Sequence, residues 1–277
     1  MKAQSLATVG CLFVLAIFMG STARADLSAG LVAYYPFGGN ANDASGNGHN
    51  GTVHGAAPSY DRFGTPDSAY SFDGVNDYIS APYTSAFQFS TFTLAAWVQP
   101  TVDLSSRAGL LSIVGRGEDV TTDRGTYLMT VVGSGSSWGT GLAEHFEDAA
   151  DTDYVYCSGY YPPAGAWTHV AVSRSGSGDV SIYAGGLLLN EWHSTPIPAT
   201  TCFQELTMGA RWCSPSITGP YDLIEFFPGS IDEVRLYNRP LTADEIRELS
   251  VVPVPGAALL GTIGLLYSGW RLRHRTD

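Results

Sequence analysis

Oxygen-rich side chains with metal-ligand character gather in NDASGNGHNG at positions 42–51, where Asp43 and Asn47 sit in an Asx- and Gly-dense turn. A third, Asp232, lies far downstream in GSIDEV. Calcium takes about six to eight hard oxygen ligands, and such a turn offers carboxylate, amide and carbonyl oxygens together. A plain turn cluster has the same composition, because Asn, Asp, Ser and Gly are the residues that turns favour. A second acidic group, Glu144, Glu147, Asp148, Asp151 and Asp153, surrounds His145 and reads as a solvated loop, since like charges repel unless a cation is present. Glycoside hydrolysis needs two carboxylates facing each other across a cleft. Glu144 and Glu147 are three residues apart, so a strand would send them to opposite faces. The chain has no phosphate-cradling Gly-Lys-Ser/Thr loop, no His pair at zinc spacing and no GxSxG elbow. The remaining chemistry is stacking: Trp138, Tyr160, Tyr161, Trp192 and Trp212 fall in irregular segments, where an aromatic face can meet the apolar face of a sugar ring.

Strands must position these side chains. Apolar runs are short, as in Phe92–Val98, Thr168–Val172, Val180–Tyr183 and Leu206–Met208, and the 32 glycines punctuate them. Short runs between Gly-rich turns, without helical periodicity, predict an all-β, two-sheet sandwich. Trp97, Trp167 and His169 lie within such runs and read as packed strand residues. The run GSIDEVRLYNRPLTADEI (Gly229 to Ile246) predicts a strand, a Pro-marked turn and a short helix. Thr242 and Glu245 have the spacing of a capping box, with Ile246 and Leu249 on the inward side.

That closing run resembles the pattern FxGxIDEVRIYNRALSxxEI with which bacterial LamG-like jelly-roll domains end, a group within the concanavalin A-like lectin/glucanase superfamily. Phe227, Gly229, Ile231, Asp232, Glu233, Val234, Arg235, Tyr237, Asn238 and Leu241 are in step with it, and Leu236 and Pro240 depart from it. The likeness continues upstream through LVAYYPFGGNANDASGNGHNGTVHGA, YSFDGVNDYIS, FTLAAWVQP and WTHVAVSRSGSGDVSIYAGG, with Gly38 where the family has Asp, and covers about Leu31 to Leu249. The resemblance implies an antiparallel jelly roll. It also implies a structural calcium joining Asp43, Asn47 and Asp232, on the side of the sandwich away from the ligand face.

The chain ends read as export signals. Residues 1–25 hold an apolar stretch from Leu6 to Met19 and a small-x-small ending at Ala25, the form of a secretory signal peptide. The expected domain spans 26–250. Residues 251–277 hold Pro253 and Pro255, an apolar stretch from Gly256 to Trp270, then Arg271, Arg273 and Arg275. This tail reads as a membrane-anchoring helix with basic residues retained inside. It resembles the PEP-CTERM sorting signal that an exosortase processes, with Val254 in place of the central Glu.

A formal charge of −12, with five of the 14 basic residues at the chain ends, argues against DNA or RNA as partner, because phosphate binding depends on clustered Lys and Arg. Three cysteines follow residue 25, and an oxidising compartment favours pairing. If Glu205 to Arg211 is extended, Cys202 and Cys213 lie on the order of 30 Å apart, so Cys157 with Cys213 is the expected pair. The resulting expectation is an exported, non-enzymatic protein at the cell envelope or in the extracellular matrix, binding polysaccharide through Trp138, Tyr160, Tyr161 and Trp212. The alternatives are an envelope protein that binds another protein or itself, and a diverged glycoside hydrolase or lyase.

Overall fold

The structure, a computed structural model, describes residues 26–117, 126–200, 202–213 and 222–251. The expected signal peptide and nearly all of the expected sorting tail lie outside these residues. Among the described residues no helix is long and apolar enough to cross a membrane.

Strands are numbered in chain order. One sheet holds eight strands: β1 (Leu31–Tyr35), β3 (Ala57–Ser59), β4 (Ala69–Asp73), β6 (Phe92–Pro100), β11 (Thr168–Arg174), β12 (Val180–Ala184), β13 (Leu187–Trp192) and β17 (Pro228–Tyr237). Its order is β13-β12-β11-β6-β17-β4-β3, and β1 pairs with the second half of β17. The facing sheet holds seven: β2 (Thr52–His54), β5 (Tyr78–Ala81), β7 (Leu110–Arg116), β8 (Tyr127–Val132), β9 (Gly141–Glu147), β10 (Asp153–Cys157) and β14 (Leu206–Met208), ordered β10-β9-β8-β7-β14-β5-β2. A two-stranded ribbon, β15 (Arg211–Cys213) with β16 (Asp222–Ile224), completes the strands. The two-sheet sandwich expected from short runs and turns, and the antiparallel jelly roll implied by the resemblance, are what the chain builds.

Alternation places the core. Leu94, Ala96 and Val98 of β6 join Val170 and Val172 of β11 against Ile79, Met129, Val131, Leu142 and Met208 of the facing sheet, all in one buried cluster. The intervening Ala95 and Ala171 face outward and meet the helix α1 (Ala243–Ser250) through Ile246 and Leu249. Thr242 and Glu245 form the expected capping box, with the Thr242 N–H donating to Glu245 Oε2 at 2.7 Å and the Glu245 N–H to Thr242 Oγ1 at 3.3 Å. Strand β17 changes partner along its length, pairing with β4 over Pro228 to Ile231 and with β1 over Val234 to Tyr237. Its register against β6 shifts between Asp232 and Arg235, where Glu233 takes a φ of 54°. This bulge lets Ile231 and Val234, three residues apart, enter the same core.

The expected wet acidic loop is largely strand. Glu144 and Glu147 lie on β9, both buried and on opposite faces. Glu144 points between the sheets, where its oxygens accept from Arg174 Nε at 2.6 Å and Nη2 at 2.8 Å. Arg174 Nη1 donates to Thr195 Oγ1 and the Pro196 carbonyl, and the guanidinium lies 4.3 Å from the Phe146 ring centroid. Burial pushes the Glu144 carboxyl upward and the Arg174 charge pulls it back. Only Asp148, Asp151 and their neighbours form the solvated turn.

The cysteine expectation fails on topology, and no disulfide joins Cys157 to Cys213. Cys157 ends β10, an edge strand three strands from β7 in the sheet, which at about 4.8 Å per strand is roughly 14 Å. Cys213 belongs to the ribbon that packs against β7. The segment 205–211 is not extended either. Gly209, at φ 86° and with no room for a Cβ against the Phe72 ring, turns the chain after β14, so Trp212 comes back to pack its backbone on Gly117. The Cys202 thiol meets the Gly117 carbonyl at 3.3 Å from the other side of that turn.

Removing one partner of a fully buried pair strands the other charge. Arg174→Ala is expected to lower the unfolding free energy by about 3–5 kcal/mol in urea denaturation, and Glu144→Leu with Arg174→Met to recover most of that loss.

Candidate functional site

The turn at positions 42–51 is built by hydrogen bonds to Asp43. Its Oδ1 accepts from the Tyr34 N–H at 3.0 Å and the Ser45 N–H at 2.8 Å, and its Oδ2 from Ser45 Oγ at 2.9 Å and the His49 N–H at 3.0 Å. Burial alone would raise this carboxyl, but the backbone donors of Tyr34, Ser45 and His49 hold it below the usual range. Asn47 turns its amide nitrogen onto the Leu31 and Val32 carbonyls at 3.1 and 2.9 Å. Asp232 does not join them. It faces the loop after β3, where Arg62 Nη1 reaches its Oδ2 at 3.0 Å. Donors surround Asp43, a cation holds Asp232, and among the described residues no three His, Cys, Asp or Glu side chains gather as a metal set. The three predicted ligands therefore do not fit one calcium ion as arranged, and hydrogen bonds do the fastening expected of the metal.

Asp232 instead begins a row across the outer face of the eight-stranded sheet. Its register partner on β6 is Trp97, whose partner on β11 is His169. Arg62 lies over the Trp97 ring at 4.7 Å, and Trp97 meets His169 edge-on with centroids 5.6 Å apart. Asp232, Trp97 and His169 are buried and the Arg62 side chain is 9% exposed, yet Asp232 Oδ1, Arg62 Nε, Trp97 Nε1 and His169 Nδ1 have no hydrogen-bond partner. Burial and the adjacent Glu233 charge raise Asp232 to about 7 despite Arg62, and burial with the Arg235 and Arg62 charges lowers His169 to about 3.

The predicted sugar-stacking residues separate into different places. Trp138 is 44% exposed, tilts against His145 at 5.6 Å and lines a shallow cleft of about 480 Å³ with Gly109 and the Ser134–Ser137 turn. Tyr160 lines another hollow, of about 430 Å³, together with Trp97, Trp167 and His169. Tyr161 and Trp192 pack against the inter-sheet core instead. Trp212 is half-buried on the ribbon, its indole N–H donating to Glu205 at 3.2 Å. Sequence reasoning placed Trp97 and Trp167 in the core. The alternation was the available signal: Trp97 follows the inward Ala96 and precedes the inward Val98, so it must point outward.

Carboxylates on the seven-stranded sheet's outer side are held in pairs. Asp153 accepts from His145 Nε2 at 2.7 Å, which lowers its pKa, and Glu225 takes Arg211 at 2.6 and 3.1 Å.

Two substitutions check this geometry. Asp43→Ala is expected to cost roughly 2 kcal/mol, through loss of charge-assisted hydrogen bonds, while chelator leaves the wild-type melting temperature unchanged. Asp232 carries a native pKa of about 7 against a free value of 3.8, so its contribution to stability is full below about pH 4 and is lost as pH rises through 7. Urea midpoints at pH 5 and pH 8 should therefore differ less in Asp232→Asn than in wild type.

Similarity to known proteins follows the fold. Residues 73–247 match the family model of the concanavalin A-like lectin/glucanases superfamily. Domain 4 of AbnA, a GH43 extracellular arabinanase from Geobacillus stearothermophilus solved with arabinotriose, is similar at TM-score 0.62 and 21% identity, over 80% of this chain and 99% of that one. The binding domain of Paraclostridial Mosquitocidal Protein 1 is similar at TM-score 0.60 and 16% identity, over 80% of this chain. The binding domain of Botulinum Neurotoxin DC in complex with SialylT is similar at TM-score 0.58 and 11% identity, again over 80% of this chain. The alignment spans about half the length of these two toxin chains, 52% and 50%. No curated protein matches the sequence. With the family model matching well over half its length, the chain belongs to the concanavalin A-like lectin/glucanases superfamily.

Proposed function

We propose that this protein is an exported, non-catalytic carbohydrate-binding module that holds an extracellular or cell-envelope polysaccharide. One observation carries the reading: aromatic faces open to solvent in hollows without charged walls, while the carboxylates that hydrolysis would need are engaged elsewhere. Trp138 and Tyr160 supply those faces. Glu144, Glu225 and Asp153 are each bound to a cationic or imidazole partner, and Glu144 is sealed between the sheets. A glycosidase keeps one carboxyl protonated and one ionised on either side of an open cleft. Stacking of rings on sugar faces needs neither charge.

The structural neighbours support the same class, since one was solved with arabinotriose and another with SialylT. Within this proposal residues 1–25 direct export and residues 251–277 are the substrate of an exosortase, holding the protein at the membrane until the tail is processed. The acidic surface keeps nucleic acid out of the partner list.

An array of neutral and acidic polysaccharides tests the reading. The full chain is expected to be retained on at least one glycan, equally with calcium or chelator, and to release no reducing ends from it on prolonged incubation. Reducing-sugar release would restore the hydrolase reading, and retention on no glycan would remove the carbohydrate reading.

A further inference from the structure

Deepening the carbohydrate reading and resting on it, we propose that the hollow bounded by Trp97, Tyr160, Trp167, His169, Leu187 and Leu189 is a binding subsite for an uncharged sugar residue. Its floor comes from register partners on neighbouring strands, Trp97 of β6 and His169 of β11, both turned to the outer face. Its walls come from elsewhere. The exposed Leu187 of the edge strand β13 presents one side, with Leu189 behind it packed against the inter-sheet core, and Tyr160 and Trp167, from the connection between β10 and β11, present the other.

The distribution of exposure matches a site that receives a ring. The floor is buried, Trp97 at 6% and His169 at 1%, whereas Tyr160 and Trp167 are half-buried and Leu187 is 68% exposed. Aromatic and aliphatic walls match the C–H face of a sugar. A volume of about 430 Å³ lies in the range of small-ligand sites.

The floor also lacks partners that protein atoms elsewhere supply. Trp97 Nε1 and His169 Nδ1 are buried without a hydrogen bond. Both atoms lie below the accessible surface, so the floor offers a ligand no hydrogen-bond donor or acceptor of its own. What the hollow offers a sugar is ring and aliphatic surface for its C–H face. No charged side chain lines the hollow, and the two cations that act on His169, Arg62 and Arg235, are paired with Asp232 and Glu233, so nothing is placed to hold a carboxylate or phosphate. Arg62 is already engaged with Asp232 and lies over Trp97. The chain's net charge of −12 works in the same direction, against an anionic glycan.

The test is calorimetric titration of the full chain with arabinotriose, cellotetraose, maltotetraose and mannotetraose as neutral probes and trigalacturonic acid as the acidic one. Tryptophan emission is followed in parallel. At least one neutral probe is expected to bind and to shift the emission. Tyr160→Ala and Leu187→Asp should each weaken that binding at least tenfold, and Tyr60→Ala, an exposed aromatic far along the chain, should leave it within twofold. Leu187→Asp changes an exposed edge residue, so a loss there does not reflect unfolding, and near-ultraviolet dichroism verifies this. Neutral binding that survives both hollow variants, or that is lost in Trp138→Ala alone, overturns the site while leaving the carbohydrate reading intact. Trigalacturonic acid binding as tightly as the best neutral probe overturns the uncharged class. Binding of none of the probes, together with no retention on the polysaccharide array, overturns the site along with the reading on which it rests.

Discussion

A single buried ion pair decides how the two sheets meet. Arg174 closes β11 in the eight-stranded sheet and Glu144 sits mid-strand on β9 in the seven-stranded one, and neither side chain touches water. Charges in such a place persist only when every donor and acceptor is used. Here the bidentate contact takes both carboxylate oxygens, and Thr195 and Pro196 take the remaining nitrogen. The consequence reaches the proposed sugar site. The Tyr160 carbonyl accepts from the Leu142 N–H, so Tyr160 is hung on the start of β9, whereas Trp97, His169 and Leu187 belong to the opposite sheet. A hollow whose walls come from two sheets keeps its width only if the sheets keep their spacing. The ion pair, two residues from Leu142, fixes that spacing.

The second constraint is the bulge in β17. Glu233 at φ 54° is costly for a residue with a Cβ, and its surroundings hold it: its carboxylate accepts from the Tyr34 hydroxyl at 2.8 Å and pairs with Arg235, which lies over the Tyr34 ring at 4.0 Å. With one residue inserted, Asp232 can turn outward to Arg62 while Ile231 and Val234 both stay in the core. The same ten residues thereby join β4 and β1 to the sheet and start the polar row that runs through Trp97 to His169.

The closing motif was legible because its determinants are local. Thr242 and Glu245 are three residues apart, and the capping box needs nothing else. Strand runs such as Phe92 to Val98 announce themselves by β-branched and aromatic content in the same way. Glu144 was misread because its partner is 30 residues downstream in the other sheet, and nothing in EHFEDAAD distinguishes a buried acid from a wet one. Asp232 was misread for a related reason. A shared calcium requires Asp43 and Asp232 to converge, and only the fold reveals that Asp43 faces the Tyr34 backbone while Arg62, 170 residues from Asp232, takes the other carboxylate. The cysteine argument failed at one glycine, since the separation assumed between Cys202 and Cys213 depends on the chain not turning at Gly209.

Which face of the sandwich remains open follows from what covers the other. Ser112, Thr130 and Thr207 alternate with core residues on β7, β8 and β14, so they point outward, yet all three are completely buried. The β15–β16 ribbon and the residues after it form the cover. The Ser112 N–H donates to the Glu225 carbonyl at 2.8 Å, Arg211 grips the Glu225 side chain, and Thr207 Oγ1 donates to the Ala210 carbonyl at 2.7 Å. A long polysaccharide cannot lie along the central strands of a sheet roofed in this way. The outer face of the eight-stranded sheet is closed by α1 over Ala95 and Ala171, but the helix stops short of the other end of the same strands, where Trp97 and His169 lie buried at the base of the hollow. The half-buried aromatic walls, Tyr160 and Trp167, and the exposed Leu187 therefore coincide at the end of the sheet that neither helix nor ribbon covers.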